Sequence, residues 1–191
     1  MTAHTDIPER WDRTNRRLVL TTPWFSVHEE DYQREDGRSL NSFYIVEERD
    51  GTNVIALTED ERALIVHQFR PAVGRTVADF VGGVTEESDG SAISAAQREL
   101  LEETGYVSDH WHRTGVLHPA PHRLRGRIHC FVALEARPVT KPASGATESV
   151  EFEIVALREL RELIADGSFS CAVCLAALTL VQQSPAVSWG S

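Results

Sequence analysis

The alternation of apolar and polar positions along the chain predicts many short strands and few helices. Residues 1–16 are polar, with little periodicity, and predict an arm ahead of the folded part. Phe25-Ser26-Val27-His28 opens a segment that alternates imperfectly to Tyr32, and Glu35-Asp36-Gly37-Arg38 carries the Asp-Gly pair of a tight turn. Ser39 to Glu48 returns through Phe43, Ile45 and Val46, so residues 17–48 predict a hairpin or small sheet. Asn53 to Leu57 is a short apolar strand. Ala63 to Phe69 is a continuous apolar run, the signature of a strand buried on both faces. Thr76 to Val81 is a further strand, closed by Gly82-Gly83.

Beyond a polar loop, Ser91 reads as an N-cap and Gly105 as a C-terminal stop, which predicts a helix from Ala92 to Thr104. Ile93, Ala96 and Leu100 share its apolar face. Thr114–Leu117 and 127–135 predict two more strands, the second alternating Ile128, Cys130, Val132 and Leu134 with Arg127, His129, Phe131 and Ala133. The Pro- and Gly-bearing stretch 137–147 predicts a loop, 151–156 a strand, and 158–165 and 170–183 two helices. Strands outnumber helices and do not alternate with them, which indicates α+β or a mixed-sheet sandwich and argues against a doubly wound sheet.

The predicted helix at 92–104 carries unusual chemistry. Glu99 and Glu103 stand one turn apart on one face, with Glu102 beside them. Three like charges at that spacing call for a positive partner, a divalent cation or an arginine. Alone, the three glutamates also read as a solvated acidic face. The Gly82-Gly83 pair lets the backbone come close, so that the carbonyl of Gly82 can add a ligand, and Arg98 can pin the loop leading into the helix.

Composition narrows this further. The 191 residues suit one domain with a small appendage, and 19 basic against 29 acidic side chains give a net charge of −10, which disfavours nucleic-acid binding. One region reverses that sign: from His110 to Leu134 there is no acidic residue, yet it holds Arg113, Arg123, Arg125, Arg127 and five of the eight histidines. The cysteines are Cys130, Cys171 and Cys174, an odd number, two of them in an apolar run; Cys171-x-x-Cys174 can be read as a redox or zinc pair, but no second ligand pair of suitable spacing accompanies it, and buried, reduced thiols in the cytoplasm are expected. The first residues lack the apolar core of a signal peptide, and the run from Cys171 to Val181 is far short of the ~20 residues that span a bilayer. His67, on an apolar strand, reads as a core histidine.

Arg98-Glu99-Leu100-Leu101-Glu102-Glu103-Thr104-Gly105-Tyr106, placed after a glycine turn and a loop, resembles the second half of the signature of the Nudix hydrolases at every fixed position. The first half departs from it. The loop is one residue longer, and the signature glutamate falls on Asp89 counted from Gly83, or on Gly90 counted back from Arg98. Gln68-Phe69-Arg70-Pro71 and Asp79-Phe80-Val81-Gly82-Gly83 are similar to segments of the ADP-ribose pyrophosphatase branch, with Asp79, Val81 and Gly82 as departures.

The resemblance implies an α/β/α sandwich with a mixed sheet (50–184), a hairpin or small sheet used in dimerisation (17–49), an arm (1–16) and a tail (185–191). It implies a homodimer, while the net charge and the short apolar runs lead us to expect no nucleic acid or membrane as partner. It implies Mg²⁺, with Mn²⁺ able to serve, held by Glu99, Glu102, Glu103 and Gly82. Glu148 is the loop carboxylate acting with Glu102 and Glu103, and Glu151 is the second candidate for that role. Arg70 and Asp79 lie at the substrate, as do Arg123 and Arg125 if the basic stretch grips a phosphate and is not simply a solvated loop. The implied reaction is hydrolysis of the diphosphate of an ADP-sugar, giving AMP and a sugar phosphate. The departures leave room for a nucleotide-binding module without turnover, or for a hydrolase of a specialised biosynthetic nucleotide.

Overall fold

The computed structural model describes residues 10–143 and 150–184, and the chain divides into two units. The first runs to Arg49 and takes in His118–Gly126. Its strands β1 (Trp11–Thr21), β2 (Phe25–Arg34) and β3 (Ser39–Glu48) form an antiparallel sheet in that order. The β2–β3 turn uses Gly37 at φ 82°, a left-handed conformation that the Asp-Gly pair anticipates.

Strand β1 starts earlier than the polarity of the chain suggests. Residues 11–16, expected in a polar arm, pair with β2 from Trp11 opposite Arg34 to Arg16 opposite Glu30. Their charges are matched across the sheet. Glu30, fully buried, lies 3.2 Å from Arg13, 3.5 Å from Arg16 and 2.9 Å from Arg125, and accepts from the Tyr32 hydroxyl. Burial alone would raise the Glu30 carboxyl, but the Tyr32 and Arg125 hydrogen bonds and the nearby arginines hold it below its usual value. The segment 118–126, expected with the larger domain, instead lies along β3: the Val46 amide donates to the Arg123 carbonyl (2.7 Å) and the Arg125 amide to the Val46 carbonyl (2.9 Å).

The second unit covers Asp50–Leu117 and the chain from Arg127 onward. Its strands are β4 (Gly51–Thr58), β5 (Arg62–Arg70), β6 (Arg75–Asp79), β7 (Tyr106–Val107), β8 (His110–Leu117), β9 (Ile128–Pro138) and β10 (Glu151–Ala156). Its helices are α1 (Ala92–Thr104), α2 (Leu157–Ala165) and α3 (Ala172–Gln182). The sheet runs β10-β5-β4-β9-β7, with β6 beside β5 and β8 beside β9. The β4–β9 pairing is parallel and the others antiparallel, so the sheet is mixed.

Strand β4 is buried along nearly its whole length, and its alternation divides the core in two. Val54 and Ala56 pack with Ala96 and Leu100 of α1 on one face. Ile55 and Leu57 pack with Leu160 of α2 and Ala177, Leu178 and Val181 of α3 on the other. This is the α/β/α layering of an α+β sandwich. Because both faces are covered, Phe131 and Ala133 of β9 are as buried as Cys130 and Val132, contrary to the simple alternation expected there. Leu100 is fully buried, a burial that stabilises by about 1.5–3 kcal/mol, whereas Ile93 is exposed: the packed face of α1 is centred on Ala95, Ala96 and Leu100. His67 is half-buried and pairs with Glu153 of β10 at 3.2 Å, so it is a strand-surface residue and not a core histidine. Among the described residues no helix is long and apolar enough to cross a membrane.

Candidate active site

Helix α1 begins and ends where its capping residues dictate. Ser91 Oγ accepts from the Ser94 amide at 3.2 Å, and Gly105, at φ 74°, donates to the Leu101 carbonyl at 2.8 Å. The caps fix the ends of the helix; packing of its apolar face buries Ala96 and Leu100 and leaves Arg98, Glu99, Glu102 and Glu103 along one border of that face.

Beside that border runs the backbone that follows β6. Val81 bridges to Val54 and Val84 to Gly51, and the Thr52 amide donates to the Gly83 carbonyl at 2.8 Å. Neither glycine between them leaves free space for a Cβ. A Cβ on Gly82 would fall 2.2 Å from the Thr52 carbonyl oxygen, and one on Gly83 only 2.1 Å from Glu99 Oε1. The two glycines therefore let the strand lie against β4 on one side and against the Glu99 carboxylate on the other. The Gly82 amide donates to Glu103 Oε2 at 3.1 Å, so the contact that Gly82 makes with the glutamates is through its N–H.

Arg98 is the cationic partner that the glutamates call for. Its guanidinium donates to Glu99 Oε1 (2.8 Å) and Glu102 Oε2 (3.0 Å), and it grips Asp89 through two bonds of 2.8 and 3.1 Å. A further bond reaches the Val84 carbonyl at 3.2 Å. The Asp89 hydrogen bond, chiefly, raises the Arg98 pKa, and the same bond holds the Asp89 carboxyl below its usual range. Burial pushes the Glu99 carboxyl up.

The longer loop keeps its geometry because Asp89 takes the anchoring role. Asp89 ends a short 3₁₀ turn (Glu87–Asp89) and also accepts from the Glu86 amide at 2.7 Å. Gly90, at φ 69°, absorbs the extra residue in a left-handed conformation. Counting along the signature could not distinguish Asp89 from Gly90; the side chain that reaches Arg98 decides it.

Three carboxylates, Asp89, Glu99 and Glu102, thus converge on one guanidinium, and a fourth, Glu103, is held by the Gly82 amide. The surplus of hard oxygen donors, with no Cβ between Gly83 and Glu99, fits a divalent cation of the Mg²⁺ type.

The other expected residues lie as follows. Arg70 on β5 donates to Asp79 Oδ2 (2.8 and 3.3 Å), and Asp79 is almost fully buried, so the two form a pair. The Arg70 side chain is nearly half exposed. Arg123 and Arg125 belong to the first unit. Arg125 is held by Glu30 and Glu47, while Arg123 borders a cavity of about 440 Å³ with Tyr32, Ile45 and His118. Arg127 is paired with Asp50 at 2.8 Å, and His129 meets the same carboxylate at 3.0 Å. Glu151 opens β10, exposed and opposite His67. Glu148, with the rest of 144–149, lies outside the described residues. Sequence reasoning did not find the Val84 carbonyl, the Gly82 amide or the Thr52 backbone as parts of the site, because backbone contacts leave no mark on residue type.

The family model for the NUDIX domain matches residues 47–172. The chain is similar to the ADP-ribose pyrophosphatase of Bacillus subtilis (strain 168), at 25% identity over 150 residues, covering 78% of this chain and 80% of that one. It superposes on the crystal structure of an ADP compounds hydrolase with a TM-score of 0.78 at 19% identity, over 94% of this chain and 96% of the other.

Proposed function

The chain belongs to the Nudix hydrolase family, and from that premise we propose that it carries out Mg²⁺-dependent hydrolysis of the diphosphate linkage in a nucleoside diphosphate derivative. ADP-ribose or another ADP-sugar is the favoured substrate, yielding AMP and a sugar phosphate. The observation that carries this reading is the gathering of Asp89, Glu99 and Glu102 around Arg98 and of Glu103 on the Gly82 amide, beside a backbone stripped of side chains at Gly82-Gly83. The similarity to an ADP-ribose pyrophosphatase supports the substrate class.

Glu99, Glu102 and Glu103 would hold Mg²⁺ or Mn²⁺, with the Gly82 carbonyl as a backbone ligand. When bound, such an ion neutralises charge on the diphosphate oxygens and lowers the pKa of a coordinated water. The chain's own part is to hold these groups in place. The Gly82 amide fixes the orientation of Glu103, and Arg98 draws Glu99 and Glu102 together while tethering the loop through Asp89. Arg70, paired with Asp79, would meet an anionic substrate, and Glu148 is the proposed base that takes the proton of the attacking water. The intact Asp89–Arg98 tether speaks against a binding module that has lost turnover.

A homodimer formed through the first unit is part of this proposal. Every residue of β1 is exposed although β1 is an eleven-residue edge strand, and Leu18, Leu20 and Trp24 add exposed apolar surface. The reaction is tested by incubating the protein and Mg²⁺ with ADP-ribose, GDP-mannose, NADH and dinucleoside polyphosphates. Release of AMP and ribose 5-phosphate from ADP-ribose is expected. Tight binding of one compound with turnover of none would instead establish a binding module.

A further inference from the structure

A second group of metal-ligating side chains lies in the same unit and uses none of the three glutamates. Cys171 occupies the N-cap position of α3 without a side-chain capping bond, and Cys174 lies in its first turn. Their sulfurs and a carboxylate oxygen of Asp79, where β6 ends, all lie within 4.8 Å of one another. Asp79 Oδ1 is 3.8 Å from Cys174 Sγ, and Oδ2 is the oxygen bound by Arg70. The Phe80 amide donates to Cys174 Sγ at 3.4 Å. A fourth polar group faces the same sulfur: the Asn53 carboxamide, whose Nδ2 is 3.3 Å from Cys174 Sγ. Asn53 is 5% exposed and its Oδ1 is buried without a hydrogen-bond partner, a costly arrangement for an amide oxygen.

We propose that Cys171, Cys174 and Asp79, completed by the Asn53 side-chain oxygen, form a binding site for a thiophilic divalent cation, Zn²⁺ by donor type, that ties the start of α3 to the end of β6. Two thiolates with oxygen donors are a zinc-type set, whereas the glutamate cluster offers only hard oxygens. Tetrahedral bonds of about 2.3 Å to sulfur and 2.0 Å to oxygen place sulfur and oxygen ligands ~3.5 Å apart. The Asp79–Cys174 separation of 3.8 Å and the Asn53–Cys174 separation of 3.3 Å bracket that value. Turning the Asn53 amide end for end exchanges its nitrogen for its oxygen at the ion and gives the orphaned oxygen a partner. Charge also closes. Two thiolates and one carboxylate are balanced by the ion and by Arg70, which orients the carboxylate from its outer oxygen as outer partners of metal ligands do.

The same Cys-x-x-Cys spacing at a helix start suits a disulfide couple. A disulfide would leave the Asp79 carboxylate and the orphaned Asn53 oxygen unused, whereas a cation takes both as ligands. The Asp79 position therefore favours the metal.

The test is metal content and cobalt spectroscopy on the full chain, purified under reductant and dialysed against Mg²⁺ to keep the glutamate cluster occupied. About one zinc per chain is expected. Apoprotein given Co²⁺ should show a thiolate-to-cobalt charge-transfer band in the near ultraviolet and the intense visible bands of a four-coordinate ion. Cobalt on the glutamates alone gives neither. C171S, at a partly exposed position, should abolish the charge-transfer band, and D79N should weaken zinc retention by at least roughly tenfold with both thiols still present. A zinc-free protein whose cobalt form lacks the thiolate band overturns the proposal. So does formation of a Cys171–Cys174 disulfide at the same rate with and without zinc, the thiols passing two electrons and two protons to added glutathione disulfide. The wild-type spectrum needs no variant, so a misfolded mutant does not blunt the result.

Discussion

At the scale of single residues, the site is organised by Arg98 more than by any one glutamate. Its guanidinium joins the loop to the helix through Asp89 and draws Glu99 and Glu102 towards one point. Asp89→Asn keeps the side-chain shape but removes the charge that holds this arginine. It should lower affinity for Mg²⁺ by about 10–100-fold, as outer-partner substitutions do, with little change in the circular dichroism spectrum; titration calorimetry measures it. The residue types at this point were legible in the sequence, since Arg-Glu followed by Glu-Glu at helical spacing put the charges on one face. The arbitration between Asp89 and Gly90 was not, because it depends on a left-handed glycine that the residue count does not reveal. The partner of Glu103 was equally hidden, being a backbone amide twenty-one residues away.

At the scale of elements, α1 lies where its caps placed it, from Ala92 to Thr104, because Ser91 and Gly105 are local signals read without knowing the fold. The strands were legible where their residues are apolar. The first half of β1, residues 11–16, was not, since its partners are charges on β2 and its own pattern is polar. The decisive element is the backbone from Asp79 to Val84, whose glycines allow contact with β4 and α1 together. Gly83→Ala sets a methyl group against the Glu99 carboxylate, a flexible neighbour that can swing away from the site. This variant should fold, with most of its Mg²⁺-dependent turnover lost. Gly82→Ala instead meets the Thr52 carbonyl, which is backbone and cannot yield, and should lower the melting temperature as well. Thermal unfolding and turnover measured on the two variants separate these outcomes.

At the scale of the whole molecule, the α+β sandwich was foreseen from the order of its elements, and its layering follows from the double-sided burial of β4. The assignment of 118–126 to the first unit was beyond sequence reasoning, because it rests on pairing with Val46 over seventy residues away. The exposed length of β1 leads to a prediction at this scale. Leu20→Glu places a charge on that strand without touching the glutamate cluster, and it should raise the dimer dissociation constant at least tenfold, ~1.4 kcal/mol. Sedimentation velocity across a concentration series reads this, and a wild-type protein that remains a monomer at every concentration would contradict the dimer.

The central claim is that the carboxylates of α1 support metal-dependent cleavage of a diphosphate. The most direct measurement is AMP release from ADP-ribose, with and without Mg²⁺, by the wild-type protein and by Glu103→Gln side by side. The wild-type enzyme should release AMP and ribose 5-phosphate only with the metal, and Glu103→Gln should be slower by about 10²–10³-fold. Undiminished turnover by Glu103→Gln, or wild-type turnover indifferent to Mg²⁺, would contradict the account.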